Sequence, residues 1–351
     1  STPGFLGAVA GWTYFTADSP WVGRELWVTD GSPENTDLLA DACSGPCSSA
    51  YSTLAISGGT LFLALSRNPY AGYQEELVVA KGSPPEFASM WTAAENIFLQ
   101  QLSTPGATAL LDDRLVFSST ADYSTFDLLA TLADGTGYEL LHSFEMSGGL
   151  FGMSQLGSEI LFWNRSGESS VELWATDGTP AGTRLIQPMS IEPQQLSIAL
   201  ADRSMLFVAR DTDGIELWRT DSSSAGTFPV THLPDPAAHI WRIAATATHA
   251  FFFVEDVTFG QELWSTDGSA AGTRPVTDFG FHEPFGDNEY SSHLVAGDSR
   301  AFFFATDGIA GVQVWSASSS SGSATPVVEV CPETYCFYET WLEIIGSQLF
   351  F

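Results

Sequence analysis

Basic side chains are nearly missing from this sequence: 12 Lys and Arg stand against 42 Asp and Glu, a formal charge of −30, and Lys81 is the single lysine. A polyanion would meet repulsion over almost the whole surface, so nucleic acid is not an expected partner. Long apolar runs are missing as well. None approaches the roughly 18 residues that a membrane span requires, and the opening Ser-Thr-Pro-Gly has no basic region leading into an apolar stretch. No membrane span is expected, and any export signal is expected to have been removed or not included.

Signatures of local catalytic chemistry are absent too. There is no Gly-x-Ser-x-Gly elbow, no phosphate-cradling Gly-Lys-Ser/Thr loop and no His-Glu-x-x-His helix. The six histidines, His142, His232, His239, His249, His282 and His293, share no motif spacing, and no catalytic residue is assigned. Cysteine is scarce and falls in two tight pairs, Cys43 with Cys47 and Cys331 with Cys336. With no His at zinc-site spacing beside either pair, disulfides in an oxidising compartment are the expected state. Spacing leaves the connectivity open between local pairs and cross-pairs of the first and last repeats.

What the chain does have is apolar and aromatic material: 44% hydrophobic residues, with 25 Phe and 11 Trp, enough to build a packed core rather than a disordered tail. This material is periodic. A central segment recurs as Glu25-Leu26-Trp27, Glu76-Leu77-Val78, Asp127-Leu128-Leu129, Glu172-Leu173-Trp174, Glu216-Leu217-Trp218, Glu262-Leu263-Trp264 and Gln313-Val314-Trp315, at offsets of 51, 51, 45, 44, 46 and 51. Spacings of about 40 to 50 residues suit a four-stranded propeller blade and exceed leucine-rich or ankyrin units.

Each centre follows a two-strand unit (A and B) with a Gly or Asp turn and a Phe-rich second strand. It precedes a turn, complete at Asp177-Gly178-Thr179-Pro180-Ala181-Gly182-Thr183, and then a short fourth strand. The expected fold is all-β: residues 1–351 as a single β-propeller of four-stranded blades, with a partial copy at 341–351. A and B occur eight times and C and D seven times, so both ends fall mid-repeat. Eight blades, the last completed by C and D strands from a longer polypeptide, are favoured over seven with a surplus hairpin. Asp30, Asp177 and Asp267 read as turn-makers, because Gly tolerates positive φ and Asp accepts hydrogen bonds from its own turn. The repeated Trp reads as core between adjacent sheets.

The segment Glu-Leu-Trp-Ala-Thr-Asp-Gly-Thr-Pro-Ala-Gly-Thr at 172–183, nearly repeated at 262–273, resembles the signature of the bacterial ELWxxDGT repeat family. Degenerate copies at Glu76, Asp127 and Gln313 extend the resemblance over essentially the whole chain. The resemblance implies secreted or surface-attached proteins with propeller-like repeats. It implies no activity and carries over no catalytic residue.

Candidate contact residues lie in loops between B and C strands. Trp21, Tyr70 and Tyr73 could offer a stacking face to a sugar or peptide, with local loop packing as the alternative. Asp211 and Asp213, in Asp211-Thr212-Asp213-Gly214, could reach a calcium ion, although no distal bidentate Glu completes an EF-hand pattern. Asp18, Asp256 and Asp307 sit in comparable loops. No other cofactor is expected. A non-enzymatic extracellular module recognising a protein or glycan at the cell surface is the favoured function. A propeller hydrolase or lyase comes second, and a structural subunit of a surface assembly third.

Overall fold

The computed structural model describes residues 3–67, 76–90, 107–119, 125–132, 136–145, 149–167, 170–256, 260–277, 293–305, 311–318, 323–331 and 341–351; the side chains of residues 195 and 331 are not described. Apart from one 3-10 turn at Pro33–Asn35, every regular element among these residues is a β-strand, thirty in all. They form seven four-stranded antiparallel sheets and a terminal hairpin, each sheet a simple meander in which sequence neighbours pair. The sheets occupy 4–40, 50–89, 108–145, 150–189, 192–229, 239–275 and 294–331. The hairpin joins Glu343–Ile345 to Gln348–Phe350.

The chain divides into two compact units, Ser1–Pro188 with sheets one to four and Met189–Phe351 with sheets five to seven and the hairpin. Within each unit the sheets stack face to face. In the first, Tyr14, Leu26 and Val28 of sheet one pack on Leu61, Leu63 and Val78 of sheet two. In the second, Leu206, Val208 and Leu217 of sheet five pack on Ile240, Phe252 and Val254 of sheet six. Second strands such as Thr60–Ser66 and Met205–Arg210 are therefore buried on successive residues, not alternate ones, as a sheet covered on both faces requires.

The repeated centre is the third strand of each sheet. Its Leu is fully enclosed in every sheet: Leu26, Leu77, Leu128, Leu173, Leu217, Leu263 and the equivalent Val314 are all 0% exposed. The neighbouring Trp packs between sheets as read above, though less deeply than the Leu: Trp315 is buried between sheets six and seven. Trp27, Trp174, Trp218 and Trp264 are half-buried, Trp174 and Trp264 among them against clusters that join successive sheets. Each stands directly across from a second-strand Phe: Phe15, Phe162, Phe207 and Phe252. The last three pairs have ring centroids 6.3–6.4 Å apart, and such cross-strand aromatic pairs stabilise a sheet beyond their area alone.

The turn after the third strand is a closed hydrogen-bond cassette, built alike at 29–36, 176–183, 220–227 and 266–273. The Asp at each start (Asp30, Asp177, Asp221, Asp267) accepts with one oxygen from both the backbone N–H and the hydroxyl of the residue two positions on. The closing Thr (Thr36, Thr183, Thr227, Thr273) donates to a carbonyl four residues back. With its one proton so used, it must accept from the first Thr, 2.6–2.8 Å away. A Cβ on Gly182, Gly226 or Gly272 would fall 2.0–2.2 Å from the Asp carboxylate, whereas the first cassette carries Asn35 at that place and its Nδ2 donates to Asp30.

One cassette departs from the pattern in a way that can be measured. Ser222 occupies the left-handed position, at φ 68°, that Gly31, Gly178 and Gly268 fill elsewhere. Ser222→Gly is expected to raise the unfolding free energy of the second unit by up to about 1 kcal/mol, since the side chain pays a left-handed penalty that Gly escapes. Urea denaturation measures it, and a destabilised variant would show that the serine hydroxyl outweighs the backbone strain.

The cassettes also set a pH dependence. The hydroxyls of Ser32, Ser223 and Ser269, followed by backbone N–H groups, hold the carboxyls of Asp30, Asp221 and Asp267 below the usual Asp value. A carboxyl with a depressed folded-state pKa contributes stability above its unfolded pKa and loses it as pH falls through the folded one. Stability should therefore decline below about pH 4, the ordinary Asp range, and Asp267→Asn should flatten that decline. An unchanged acid slope in the variant would contradict the assignment.

Candidate functional site

The first sheet brings a predicted contact residue onto a covalently braced loop. Trp21 sits in the turn between Trp12–Ser19 and Gly23–Thr29 and is 82% exposed, more than any other large apolar side chain described. Its backbone N–H donates to Ser19 Oγ. At the base of the turn the Arg24 guanidinium reaches Asp18 at 3.0 Å and Thr16 Oγ1 at 2.8 Å.

Beside this turn lies the loop closed by the Cys43–Cys47 disulfide, four residues apart in sequence. Ser48 Oγ accepts from Arg24 N–H, and Ser49 N–H donates to the Arg24 carbonyl. The two backbones approach so closely that a Cβ on Gly23, at φ 67°, would lie 1.8 Å from the Cys47 carbonyl oxygen. Of the two cysteine pairs, local pairing is thus seen for the first, whereas Cys336 lies outside the described residues.

Beneath the loop is a buried carboxylate that sequence reasoning did not single out beyond its place in the repeat. Glu25 is 0% exposed and accepts four hydrogen bonds: from Ala42 N–H, Cys43 N–H, Ser49 Oγ and Tyr51 Oη. Burial, reinforced by the Glu25 carboxylate, pushes the Tyr51 phenol well above its ordinary pKa, so it stays a donor. Arg67 clasps Glu76 through two nitrogens at 2.5 and 2.9 Å and donates to the Ala42 carbonyl. The third-strand Glu of sheet five does similar work, since Glu216 accepts from Thr231 Oγ1 and Leu233 N–H, with burial raising its pKa. Glu172 instead accepts from Asn164 and from Trp174 Nε1. The repeated Glu therefore anchors loops and indoles, and its lone signal in the sequence was its recurrence.

Asp211 folds one oxygen onto the N–H groups of Asp213 and Gly214, an Asx turn closed by Asp211 N–H on the Gly214 carbonyl. Asp213 is exposed, and among the described residues no three His, Cys, Asp or Glu side chains gather as a metal-holding group. Asp18 is paired with Arg24, and Asp256 is buried. Tyr70, Tyr73, Asp307 and His282 lie outside the described residues. The His142 ring lies tilted against Trp174, centroids 4.8 Å apart, and His249 contacts Thr248 Oγ1.

Reducing the Cys43–Cys47 bridge should cost about 2 kcal/mol, the loop-entropy value for so short a closure, and loosen the Trp21 rim without unfolding the sheets. Denaturation with and without reductant measures it, alongside a non-reducing peptide map that should recover Cys43 linked to Cys47. Loss of the whole fold on reduction would contradict a local role.

No family model matches the chain, and no curated protein matches it by sequence. Among solved structures it is similar to a puromycin hydrolase, at 14% identity and TM-score 0.43 over 95% of this chain and 55% of that one. It is also similar to one from a study of two prolyl endopeptidases, at 14% identity and TM-score 0.45 over 93% and 49%. A third is a puromycin-hydrolyzing peptidase of Mycobacterium tuberculosis, at 9% identity and TM-score 0.42 over 97% and 55%. The chain spans about half the length of these structures. Likeness this distant transfers none of the chemistry in those names.

Proposed function

We propose that this chain is an exported β-propeller of four-stranded blades, eight in number, that recognises a protein or glycan partner at the cell surface through loops between second and third strands and performs no turnover. One observation carries the recognition reading: Trp21, an exposed indole, is held on a rim braced by an ion pair and a disulfide. Exposed aromatics on rigid loops are a common means of gripping sugars and peptides at low entropic cost. The repeated residues support it from the other side, because the Glu, Leu, Thr, Asp and Gly of the motif are already committed to core, anchor and turn. The face-to-face sheets within each unit and the repeat period support the propeller.

The test is a screen of the purified protein against a glycan array and against peptides from cell-surface extracts, with the same mixtures analysed for product. Saturable binding lost in Trp21→Ala, with no product, is expected. Cleavage or elimination abolished by substituting described carboxylates would replace this reading with the hydrolase or lyase.

A further inference from the structure

Four sheets carry both the third-strand Glu and the Trp two residues on, and the Glu takes two arrangements among them. In sheets four and six it turns along its own strand to the indole: Glu172 accepts from Trp174 Nε1 at 2.9 Å and Glu262 from Trp264 Nε1 at 3.2 Å. In sheets one and five it turns to the chain leaving the fourth strand, Glu25 to Ala42 and Cys43, Glu216 to Thr231 and Leu233. The indoles divide the same way. Trp27 and Trp218, whose Glu has turned to the loop, keep Nε1 buried without a hydrogen-bond partner. A bond left unmade in this way costs free energy, and the carboxylate two residues away is the group that recovers it in the other two sheets.

The frame around the Glu is the same in either arrangement. In sheet five Leu217 N–H donates to Thr231 Oγ1 at 2.8 Å and Val230 N–H to the Leu217 carbonyl at 2.8 Å. In sheet six Leu263 N–H donates to Thr277 Oγ1 at 2.7 Å and Val276 N–H to the Leu263 carbonyl at 2.8 Å. Trp218 and Trp264 also stand across from equivalent residues, Phe207 and Phe252. Passing from one arrangement to the other therefore takes a side-chain rotation of Glu216 and no change in the ladder. What it releases is the Leu233 N–H, now 3.0 Å from Glu216 Oε1. Three residues on, Pro236 braces the Asp211–Gly214 loop so closely that a Cβ on Gly214 would fall 2.9 Å from Pro236 Cα.

We propose that Glu216 is a two-position latch, bound to the Leu233 amide in the major state and to the Trp218 indole in a minor one, and that the exchange frees the segment bracing the Asp211–Gly214 loop. A ligand that favours the freed loop would draw the balance toward the indole-bound state. The proposal does not depend on recognition at Trp21, so either can fail alone.

Trp218→Phe removes the alternative donor and tests the latch by amide hydrogen exchange. Leu233 exchange, read against Val230, whose bond is common to both arrangements, should slow by about tenfold, equivalent to about 1.4 kcal/mol. Lost packing alone would speed it. Should the variant fail to fold, relaxation dispersion on the unsubstituted 1–351 protein decides: Trp218 Nε1–H and Leu233 N–H should report one shared exchange rate and a minor population of roughly 1–10%. Leu233 exchange unchanged or faster than in the parent relative to Val230, or dispersion missing from either group, would overturn the proposal.

Discussion

Glu25→Ala should destabilise the first unit by about 3–5 kcal/mol, because it leaves the buried hydroxyls of Ser49 and Tyr51 and the half-buried N–H groups of Ala42 and Cys43 without their acceptor. The four donors come from three separate places, the chain leaving the first sheet (Ala42 and Cys43), the segment after the disulfide (Ser49) and the start of sheet two (Tyr51). One carboxylate thus ties sheet one to sheet two and seats the disulfide loop. Glu25→Gln is informative beside it. Each carboxylate oxygen receives a different backbone N–H, Ala42 on one and Cys43 on the other. An amide presents one acceptor and one donor, so a backbone N–H must face an NH2 group, and about 1–3 kcal/mol should be lost. Urea denaturation of the two variants measures both. A Gln variant as stable as the parent would mean that the carboxylate does not hold both amides.

Leu217→Ala should cost the second unit about 3–5 kcal/mol, the upper part of the range for truncating a buried leucine. Leu217 is fully enclosed among Leu206, Val208, Ile215 and Val230 of its own sheet and Ile240, Ala250 and Phe252 of the next, and packed sheets have little freedom to collapse onto the void. The adjacent Trp218→Ala should cost less, about 2 kcal/mol, although it removes more atoms, because half-buried surface returns less on burial. Trp218 also keeps its indole N–H buried without a hydrogen-bond partner, a cost that truncation relieves. Parallel denaturation curves decide the order. A larger loss at Trp218 than at Leu217 would restore the indole as the main packing element.

That order was not legible in the sequence. Period, strand succession and the Asp turn were, since each shows within a few residues: Phe-rich apolar runs, the Gly or Asp turns between them, and Asp followed by Gly. The relative depth of Leu and Trp depends on the adjacent sheet, and a single repeat does not reveal it. Size made the Trp conspicuous, but burial at its position varies from sheet to sheet, from half-buried Trp218 to buried Trp315. Five first strands carry a register shift against their second strands, as between Thr53 and Ala55 or Trp241 and Ile243, and no residue type marks them consistently.

The candidate site was legible in pieces. Trp21 stood out as an aromatic in a polar loop, and Cys43 with Cys47 as a short pair. Their meeting at Gly23 is a tertiary contact between segments more than twenty residues apart. Asp211 and Asp213 were legible as alternating carboxylates, but not that one Asp211 oxygen accepts from the N–H groups of its own turn.

The central claim is that the repeated motif is the frame of the fold and the loops between second and third strands are what it displays. Residue-resolved amide hydrogen exchange tests this most directly. The slowest amides should recur at Leu26, Leu77, Leu128, Leu173, Leu217, Leu263 and Val314, one per sheet, with exchange orders of magnitude faster around Trp21 and Asp213. Fast exchange at several of those third-strand positions, or loops as protected as the strands, would contradict it.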